Sequence, residues 1–558
     1  MPPWRSDVAG IIAAMSSGPS RTVPVASARP ATLELAVAIV ATALAIVFVV
    51  AFAQFAPGLW RDEINSVNTQ AAPTWAAMWQ LSQFESFPLL WMLALRAWMA
   101  IGSSDAALRV FGCACGLAIP AAIWFAARRS ARPSMPVLAL ALVAVNPAIV
   151  RWSASVRPWG LGAALAIVTF ALVRDASFSP TRGRIIAAAI AALASVQCLY
   201  QNAVLLAAMI AAAAIVLAIR GEWRRIAVPV GIGAAAALSL VPYAPVIARR
   251  SEWNALGESA VPMSYLFTRL AGTANAAGPL VAICWLAAGA GALALGVAAG
   301  ARSARSSQPA AAPAAAAYAA WTMAAALAGL LTFYWWFRYP TQPWYYVGLL
   351  ALVAVCADSI LAATLAPRTA RVLRTGLAAV VIATGASSTW TALHEPMTNL
   401  DLVATRLRVD SADGDLVIVN PWPFAITLSR YDPGRARITT APPLEDYRVH
   451  RYDLLKRAML DADPIAPLLA EIETVLRSGH RVWYVGRLDA TPPGARVTSP
   501  GRPPLADSGW NSTPYEVAWS QQTGAFLRDR SAQMSRVAID TRGGHLEDAA
   551  VAVFSGWR

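Results

Sequence analysis

Eleven stretches of this sequence are apolar over lengths close to what a membrane-spanning helix needs, and this repetition constrains the fold more than any other feature. About 20 apolar residues cross the hydrocarbon core of a bilayer. Of the 558 residues, 57% are hydrophobic and 14% are charged, which excludes a soluble globular domain and indicates a mainly α-helical, polytopic membrane protein. The predicted spans are 32–54, 107–127, 134–150, 159–173, 185–200, 203–219, 226–247, 273–300, 314–334, 344–364 and 375–391.

Short arginine-rich connections separate many of these spans and predict their orientation. Arg and Lys concentrate in the cytoplasmic loops of membrane proteins. The net charge of +14 therefore indicates membrane topology here, and no nucleic-acid partner. With the N-terminus and all of these connections in the cytoplasm, eleven spans place the C-terminal region on the other side. The connections are 128–132, 174–184, 220–225, 302–305 and 368–374.

The chain thus divides into three parts. Residues 1–31 are predicted to form a cytoplasmic tail, and residues 32–391 a transmembrane domain whose first outer loop is 55–106. Residues 392–558 are polar and proline-rich, and they are predicted to form a small extracytoplasmic α/β domain. This domain has β-like runs at 415–420, 481–486 and 549–554, with helical patterns at 451–462 and 464–478.

One apolar segment of the first outer loop does not fit the pattern of spans. Phe87–Ile101 is short and carries Arg96 in its middle. If it crossed the membrane, every later basic loop would be moved outside. We therefore predict a helix that lies along the outer interface, with its tryptophans at headgroup depth. A short tilted span is the alternative.

Carboxylates are the predicted acid–base groups of the outer face, because all four histidines follow the last span. A carboxylate can take a proton from an acceptor hydroxyl or amine as a new bond forms. Asp62 and Glu63 come directly after the first span, and Glu85 lies further along the same loop. Taken alone, an Asp-Glu pair in such a loop is more often solvated charge than a catalytic site.

Several arginines lie on the predicted outer side, where the charge bias of membrane proteins predicts few. The guanidinium group presents a planar fork of donors that suits a phosphate. A lipid phosphate would therefore explain these residues, and arginines that anchor helix ends would explain them as well. They are Arg151, Arg157, Arg249, Arg250, Arg269 and Arg338.

Five short elements, in order along the chain, resemble motifs of the GT-C superfamily of membrane glycosyltransferases. The most similar branch holds the protein O-mannosyltransferases and the aminoarabinose transferases that modify lipid A. In one element Ser86 and Phe87 replace the family's basic residue and first proline, which puts a donor-phosphate contact there in doubt. The elements are Leu59–Glu63, Glu85–Leu90, Ile101–Arg109, Asn146-Pro147 with Arg157–Trp159, and Phe337–Tyr339.

The resemblance implies an enzyme that moves a sugar from a polyprenyl-phosphate donor to a lipid, glycan or protein acceptor. The reaction would take place at the outer face of a bacterial inner membrane. It implies Asp62 as the base or acceptor-orienting group, with Glu63 as the second choice. The residues implied to bind the substrates are Glu85, Arg157, Arg338, Arg61 and Arg269. Of these, Arg157 and Arg338 are implied to bind the donor phosphate.

Some features stay open at this stage. Carboxylates are present without metal-ligand spacing, so a divalent metal is neither indicated nor excluded. A polytopic transporter or flippase is the first alternative function, since eleven spans are ordinary for that class. A non-catalytic relative that binds a polyprenyl lipid is the second, because of the basic residue replaced at Ser86.

Overall fold

The structure is a computed structural model, and it describes most of the chain. The described residues are 32–85, 87–254, 256, 261–304, 311–338, 340–431, 434–489, 491–492, 497–507, 509–539 and 544–558. The predicted cytoplasmic tail 1–31 lies outside these residues, as do Ser86 and Tyr339 of the family-like motifs.

Nine helices of the described chain are long and apolar enough to cross a membrane. A helix satisfies its own backbone hydrogen bonds, which is why apolar segments in lipid adopt this form. The first helix shows the lipid-facing character, since Leu33, Ile39 and Val47 are about half exposed or more. The nine are Thr32–Phe55, Asp105–Arg128, Trp159–Phe178, Asn202–Ile219, Trp223–Arg249, Pro279–Arg302, Ala311–Trp336, Pro343–Thr364 and Pro367–Leu393.

Two predicted spans contain shorter helices. The span predicted at 185–200 is the 17-residue helix Arg182–Cys198. The span predicted at 134–150 is broken at Asn146, whose side chain accepts a hydrogen bond from the Ile149 amide. The two helices of this broken segment are Val137–Ala144 and Pro147–Ser153.

The broken segment still runs the full depth of the bundle beside helix Pro367–Leu393. At one end Arg374 donates to the carbonyl of Met135, and at the other Arg151 donates to the carbonyl of Ala392. Together with the nine long helices and the 17-residue helix, the broken segment makes eleven segments of the described chain that correspond to the eleven predicted spans.

The apolar helix of the first outer loop, Leu89–Met99, has 11 residues. At 1.5 Å per residue it is about 16 Å long, which is too short to cross a bilayer. Both of its ends lie at the same end of the bundle, because the Leu89 amide donates to Tyr243 and the Trp98 indole to the carbonyl of Ala107. Its position along a membrane interface stays a prediction.

Smaller helices complete the membrane part and the C-terminal part. Those of the membrane part are Arg61–Gln70, Trp75–Leu81, Ala227–Leu238, Ala244–Asn254 and Met263–Ala274. Helix Ala227–Leu238 lies within the span Trp223–Arg249, and helix Ala244–Asn254 begins within this span and extends beyond it. Those of the C-terminal part are Leu400–Asp410, Phe424–Arg430, Tyr452–Leu460, Ala466–Arg477 and Thr513–Arg530.

The C-terminal part is built on a five-stranded mixed sheet, which confirms the predicted α/β fold. The strands are β1 Leu416–Asn420, β2 Arg437–Thr440, β3 Val482–Gly486, β4 Ser531–Val537 and β5 Val551–Trp557. Their order in the sheet is β2-β1-β3-β5-β4, with β1 parallel to β2 and β3, and β5 antiparallel to β3 and β4. The three predicted runs correspond to β1, β3 and β5, while β2 and β4 were not predicted.

The C-terminal domain docks on the end of the bundle where the first span ends. The Leu59 amide donates to the Tyr431 hydroxyl at 2.6 Å, and the same hydroxyl donates to Asp105 at 2.8 Å. Arg430 donates to the other oxygen of Asp105 at 2.7 Å. These contacts bring residues far apart in sequence to one surface.

Candidate active site

A cavity of about 320 Å³ lies between the end of the bundle and the C-terminal domain. The bundle and its loops supply Arg61, Asp62, Gln83, Phe84, Glu85, Arg157, Trp253, Leu256, Pro340, Gln342, Trp344 and Tyr345. The C-terminal domain supplies Trp422, Pro423, His450, Tyr452, Leu455, Ser512 and Glu516.

The first turn of helix Arg61–Gln70 directs the two adjacent carboxylates differently. Successive residues of an α-helix are separated by about 100° around its axis, so Asp62 and Glu63 cannot face the same way. Asp62 lines the cavity, whereas Glu63 points into the bundle. Carboxylates in a first turn also lie near the positive end of the helix dipole.

The Glu63 carboxylate is completely buried and its oxygens are already engaged. Arg109 binds it through two nitrogens, at 2.7 and 3.1 Å. The Val156 and Trp60 amides donate to it at 2.8 and 3.2 Å. The structure therefore gives Glu63 and Arg109 the geometry of a structural ion pair, and it does not bring Glu63 to the cavity.

Asp62 lies against a histidine of the C-terminal domain. Its Oδ1 is 3.2 Å from His450 Nε2, and its side chain is 20% exposed. Burial opposes ionisation, but the hydrogen bond with His450 and the positive charges of Arg157, His450 and Arg61 lower the pKa of Asp62 to about 2. Asp62 is thus ionised at any physiological pH and is a weak base.

Arg157 contacts the backbone of Asp62 and the carboxylate of Glu85. Its Nη1 donates to the carbonyl of Asp62 at 2.9 Å, to Ser66 Oγ at 2.8 Å and to Glu85 Oε2 at 3.1 Å. The guanidinium group is 5% exposed and lies 4.7 Å from the centre of the Phe87 ring. An arginine fixed in this way can present positive charge to a ligand with little loss of freedom.

Glu85 differs from Asp62 in its proton affinity. Asn65 donates to its Oε1 at 2.9 Å, in addition to the contact of Arg157. Burial raises the pKa of Glu85, although Arg157 and Ser66 act in the opposite direction. Two carboxylates whose pKa values are moved apart can take different roles in one reaction.

The remaining residues predicted to bind the substrates lie in different places. Arg61 lines the cavity, with its Nε 3.7 Å from Asp62 Oδ1. Arg338 is exposed, with a φ of 49°, and is not among the lining residues, although the nearby Gln342 is. Arg269 is exposed, lies over the Tyr265 ring at 5.2 Å, and is not among the lining residues.

No local pattern in the sequence points to the histidine in this cavity. His450 is 6% exposed, its amide donates to Asn65, and its ring stacks on Tyr452 with an interplanar angle of 3°. A histidine therefore lies beside the carboxylates that are predicted to do the acid–base chemistry. The sequence indicates such a contact only through the topology, because the first outer loop and the C-terminal domain are predicted on the same side of the membrane.

No group of three or more His, Cys, Asp or Glu side chains within the described ranges is placed to hold a metal ion. Asp62 and His450 are in contact in the cavity, with His450 Nε2 3.2 Å from Asp62 Oδ1.

The fold is shared with a known membrane enzyme. No known protein family matches the sequence, and no curated protein matches it. The crystal structure of ArnT from Cupriavidus metallidurans bound to undecaprenyl phosphate is similar, with 14% identity, a TM-score of 0.53 and coverage of 92% of this chain and 97% of that chain. The apo form of the same ArnT matches at 13% identity with a TM-score of 0.52 and the same coverage. These likenesses confirm the predicted GT-C-like fold.

Proposed function

We propose that this protein is a membrane glycosyltransferase that moves a sugar from a polyprenyl-phosphate donor to a lipid, glycan or protein acceptor. The observation that carries the proposal is the cavity at the end of the bundle. Its lining includes the arginines Arg61 and Arg157 and two carboxylates of different proton affinity, Asp62 and Glu85, beneath the C-terminal domain, which supplies a third carboxylate, Glu516.

The fold supports the lipid-linked donor. ArnT, which shares the fold, has been crystallised with undecaprenyl phosphate, a polyprenyl phosphate. In this protein the cavity lies where the spanning helices end. The polyprenyl tail of a donor can therefore remain among the helices while the phosphate of the donor enters the cavity. A soluble sugar donor would not need this placement.

Stabilisation of the leaving phosphate is the proposed role of the arginines. Negative charge builds on the phosphate as the glycosidic bond breaks, and fixed cations stabilise it best where water is excluded. Arg157 is held in place by Ser66 and Glu85, and Arg61 lies beside it in the lining. Arg338 and Arg269 remain proposed donor contacts that would require movement of their segments.

Glu85 is the proposed base, and Asp62 is the proposed acceptor-orienting group. Glu85, whose pKa is raised, is the better acceptor for the proton of the attacking hydroxyl or amine. Asp62 stays ionised against His450 and orients the acceptor. Asp62 thus keeps one of its two predicted roles, base or acceptor-orienting group, and Glu85 is proposed as the base instead of Glu63, the second choice.

We place the cavity and the C-terminal domain on the extracytoplasmic side of the inner membrane, with the lipid bilayer around the bundle. This proposal rests on the arginine-rich connections at the opposite end of the bundle. A transporter would more often carry ionisable residues within its spans. Asp358 lies within helix Val347–Thr364, and its carboxylate is paired with Arg374 at 2.5 Å. This pairing gives the transporter alternative no support.

The test is donor binding to the purified full-length protein. A lipid extract analysed by mass spectrometry should contain a polyprenyl-phosphate sugar, and the same lipid should support transfer. Arg157→Ala or Arg61→Ala should weaken donor binding by about 1.5–3 kcal/mol for each lost charge-assisted contact. Arg338→Ala tests whether that exposed residue reaches the phosphate.

Arg182→Ala is the matched control, because Arg182 is exposed at the opposite end of the bundle. Unchanged donor affinity in both the Arg157 and the Arg61 variants would refute the phosphate assignment. Donor binding without transfer to any acceptor would favour the non-catalytic relative instead.

A further inference from the structure

A second cavity, of about 490 Å³, lies at the end of the bundle opposite the candidate active site. Helices Thr32–Phe55 and Pro367–Leu393 begin beside it, and helix Asp105–Arg128 ends there. A 24-residue helix is about 36 Å long, so roughly the thickness of a membrane separates the two cavities.

Arginines dominate the wall of this cavity, where Arg128, Arg132, Arg371 and Arg374 face a single acid, Glu34. Arg374 is 2% exposed and forms ion pairs with Asp358 and Glu34. Arg371 forms a further ion pair with Glu34 at 3.3 Å. Within the part of the chain that the structure describes, Arg128 and Arg132 have no acceptor. Two positive charges therefore remain uncompensated.

The N-terminal tail is a poor candidate to neutralise these charges, although it enters helix Thr32–Phe55 at this end. Residues 1–31 contain three arginines, Arg5, Arg21 and Arg29, and one acid, Asp7. Its charge has the same sign as that of the cavity. The ligand must come from elsewhere and must be anionic.

An apolar hollow adjoins the basic cavity and shares Trp124 and Arg128 with it. Phe125 and Ala121 form the rest of its wall together with Arg129, whose guanidinium group is paired with Asp175 at 3.0 Å. The two uncompensated arginines match the phosphate of a phospholipid headgroup, and the apolar wall beside them matches the start of its acyl chains. Both features lie at the depth where the helices end.

We propose that this cavity binds the phosphate of an anionic membrane phospholipid in the leaflet opposite the active site. Arg128 and Arg132 hold the phosphate, and the start of an acyl chain lies along Trp124 and Phe125. Paired guanidinium groups suit phosphate oxygens, and basic pockets between spanning helices recognise anionic headgroups. A general bias toward positive charge at this end would explain the arginines but not the cavity or its apolar neighbour.

The experiment measures lipid retention by native mass spectrometry of the full-length protein. The probes are phosphatidylglycerol, phosphatidylcholine and inorganic phosphate, each added alone and in competition. Arg128→Gln/Arg132→Gln should weaken phosphatidylglycerol binding about tenfold or more, the effect of losing at least one charge-assisted contact. The control Arg224→Gln/Arg302→Gln removes two exposed arginines at the same end of the bundle, outside this cavity.

Selective retention of phosphatidylglycerol that only the first double variant loses would support the proposal. Equal loss in the control would overturn it, because the effect would then come from overall charge. Displacement by inorganic phosphate at the same concentration as by phosphatidylglycerol would also overturn it, since the ligand would be free phosphate and not a lipid. Thermal unfolding of each variant verifies that the fold is intact.

Discussion

Two neighbouring carboxylates illustrate how much depends on single residues in this protein. Asp62 and Glu63 are indistinguishable as a sequence pair, yet one lines the cavity and the other is saturated by donors inside the bundle. The reason is the helix that begins at Arg61, because it turns consecutive side chains about 100° apart. Mutation of the two residues should therefore have different consequences.

We expect Asp62→Asn to slow sugar transfer while leaving the fold intact. The change removes the charge that His450 and Arg157 surround, so the acceptor would no longer be oriented. Misplacement of a reacting group by about 1 Å can slow a reaction about 10²-fold, so turnover should fall by about this factor. Steady-state transfer and donor binding, measured on the same preparation, should show reduced turnover with donor affinity retained. Near-normal turnover would reject the role.

We expect Glu63→Gln to act on stability instead. It breaks a fully buried pair with Arg109 and leaves the guanidinium group without its counter-charge. Removing one partner of such a pair typically costs about 3–5 kcal/mol. Thermal unfolding in detergent should show a clear decrease in Tm, whereas Asp62→Asn should not. An unchanged Tm would mean that the ion pair contributes little.

The pH dependence of transfer should identify Glu85. A base must be deprotonated to act, and burial raises the pKa of Glu85 above its ordinary value of 4.5. The rate, kcat/KM, should therefore fall as the pH is lowered, and the fall should begin at a higher pH than for a solvated glutamate. Glu85→Gln should lower the rate and remove this acid limb. The Asp62 pKa of about 2 cannot produce it.

At the scale of helices and strands, most elements could be predicted from the sequence, because hydropathy alone determines which segments enter lipid. Hydropathy does not show the break in segment 134–150, since its residues are apolar on both sides of Asn146-Pro147. The Asn-Pro pair itself is typical of a helix start and is the signal that marks the break. Strands β2 and β4 were also missed. The residues of β4 are mostly exposed and polar, so they lack the apolar run that identified β1 and β3.

The short helix Leu89–Met99 offers a test at this scale. Ser104 is exposed just beyond it, at the start of helix Asp105–Arg128. In a background without the five native cysteines, Ser104→Cys should react with a membrane-impermeant thiol reagent from the extracytoplasmic side. This outcome follows if the helix stays at the outer interface. Labelling only after the cytoplasmic side is opened would show that the orientation is reversed or that the segment crosses.

For the whole molecule, the candidate active site forms where the C-terminal domain docks on the bundle. The sequence could indicate the residues that the bundle contributes to this site, but not those that the C-terminal domain contributes. Asp62, Glu85 and Arg157 could be proposed because they lie near span ends, where membrane enzymes meet their substrates. His450 and Glu516 could not, because no local pattern shows which part of a distant domain covers the cavity. The contact of His450 with Asp62 joins residues 388 positions apart.

The same docking surface contains a buried acid, Glu547. Its pKa indicates how the free energy of unfolding should depend on pH. Glu547 is completely buried, accepts hydrogen bonds from Thr427 at 2.9 and 3.1 Å, and accepts one from the Arg61 amide at 3.3 Å. Burial raises its pKa from 4.5 to about 7, against the effect of Arg61. Between these values the folded protein binds more protons than the unfolded chain. The free energy of unfolding should therefore decrease as the pH rises from about 4.5 through 7.

Glu547→Gln should make this dependence weaker, because the amide needs no proton to be neutral. The raised pKa of Glu85 should leave a smaller slope of the same sign. At pH values above 7 the variant should be the more stable protein, by up to about 3 kcal/mol for a shift of this size. Thermal unfolding in detergent across this pH range would measure both effects. Glu473→Gln, which changes an exposed carboxylate on helix Ala466–Arg477, should leave the pH dependence of the wild type unaltered. If Glu547→Gln retains the wild-type profile, another group causes the pH dependence of the stability.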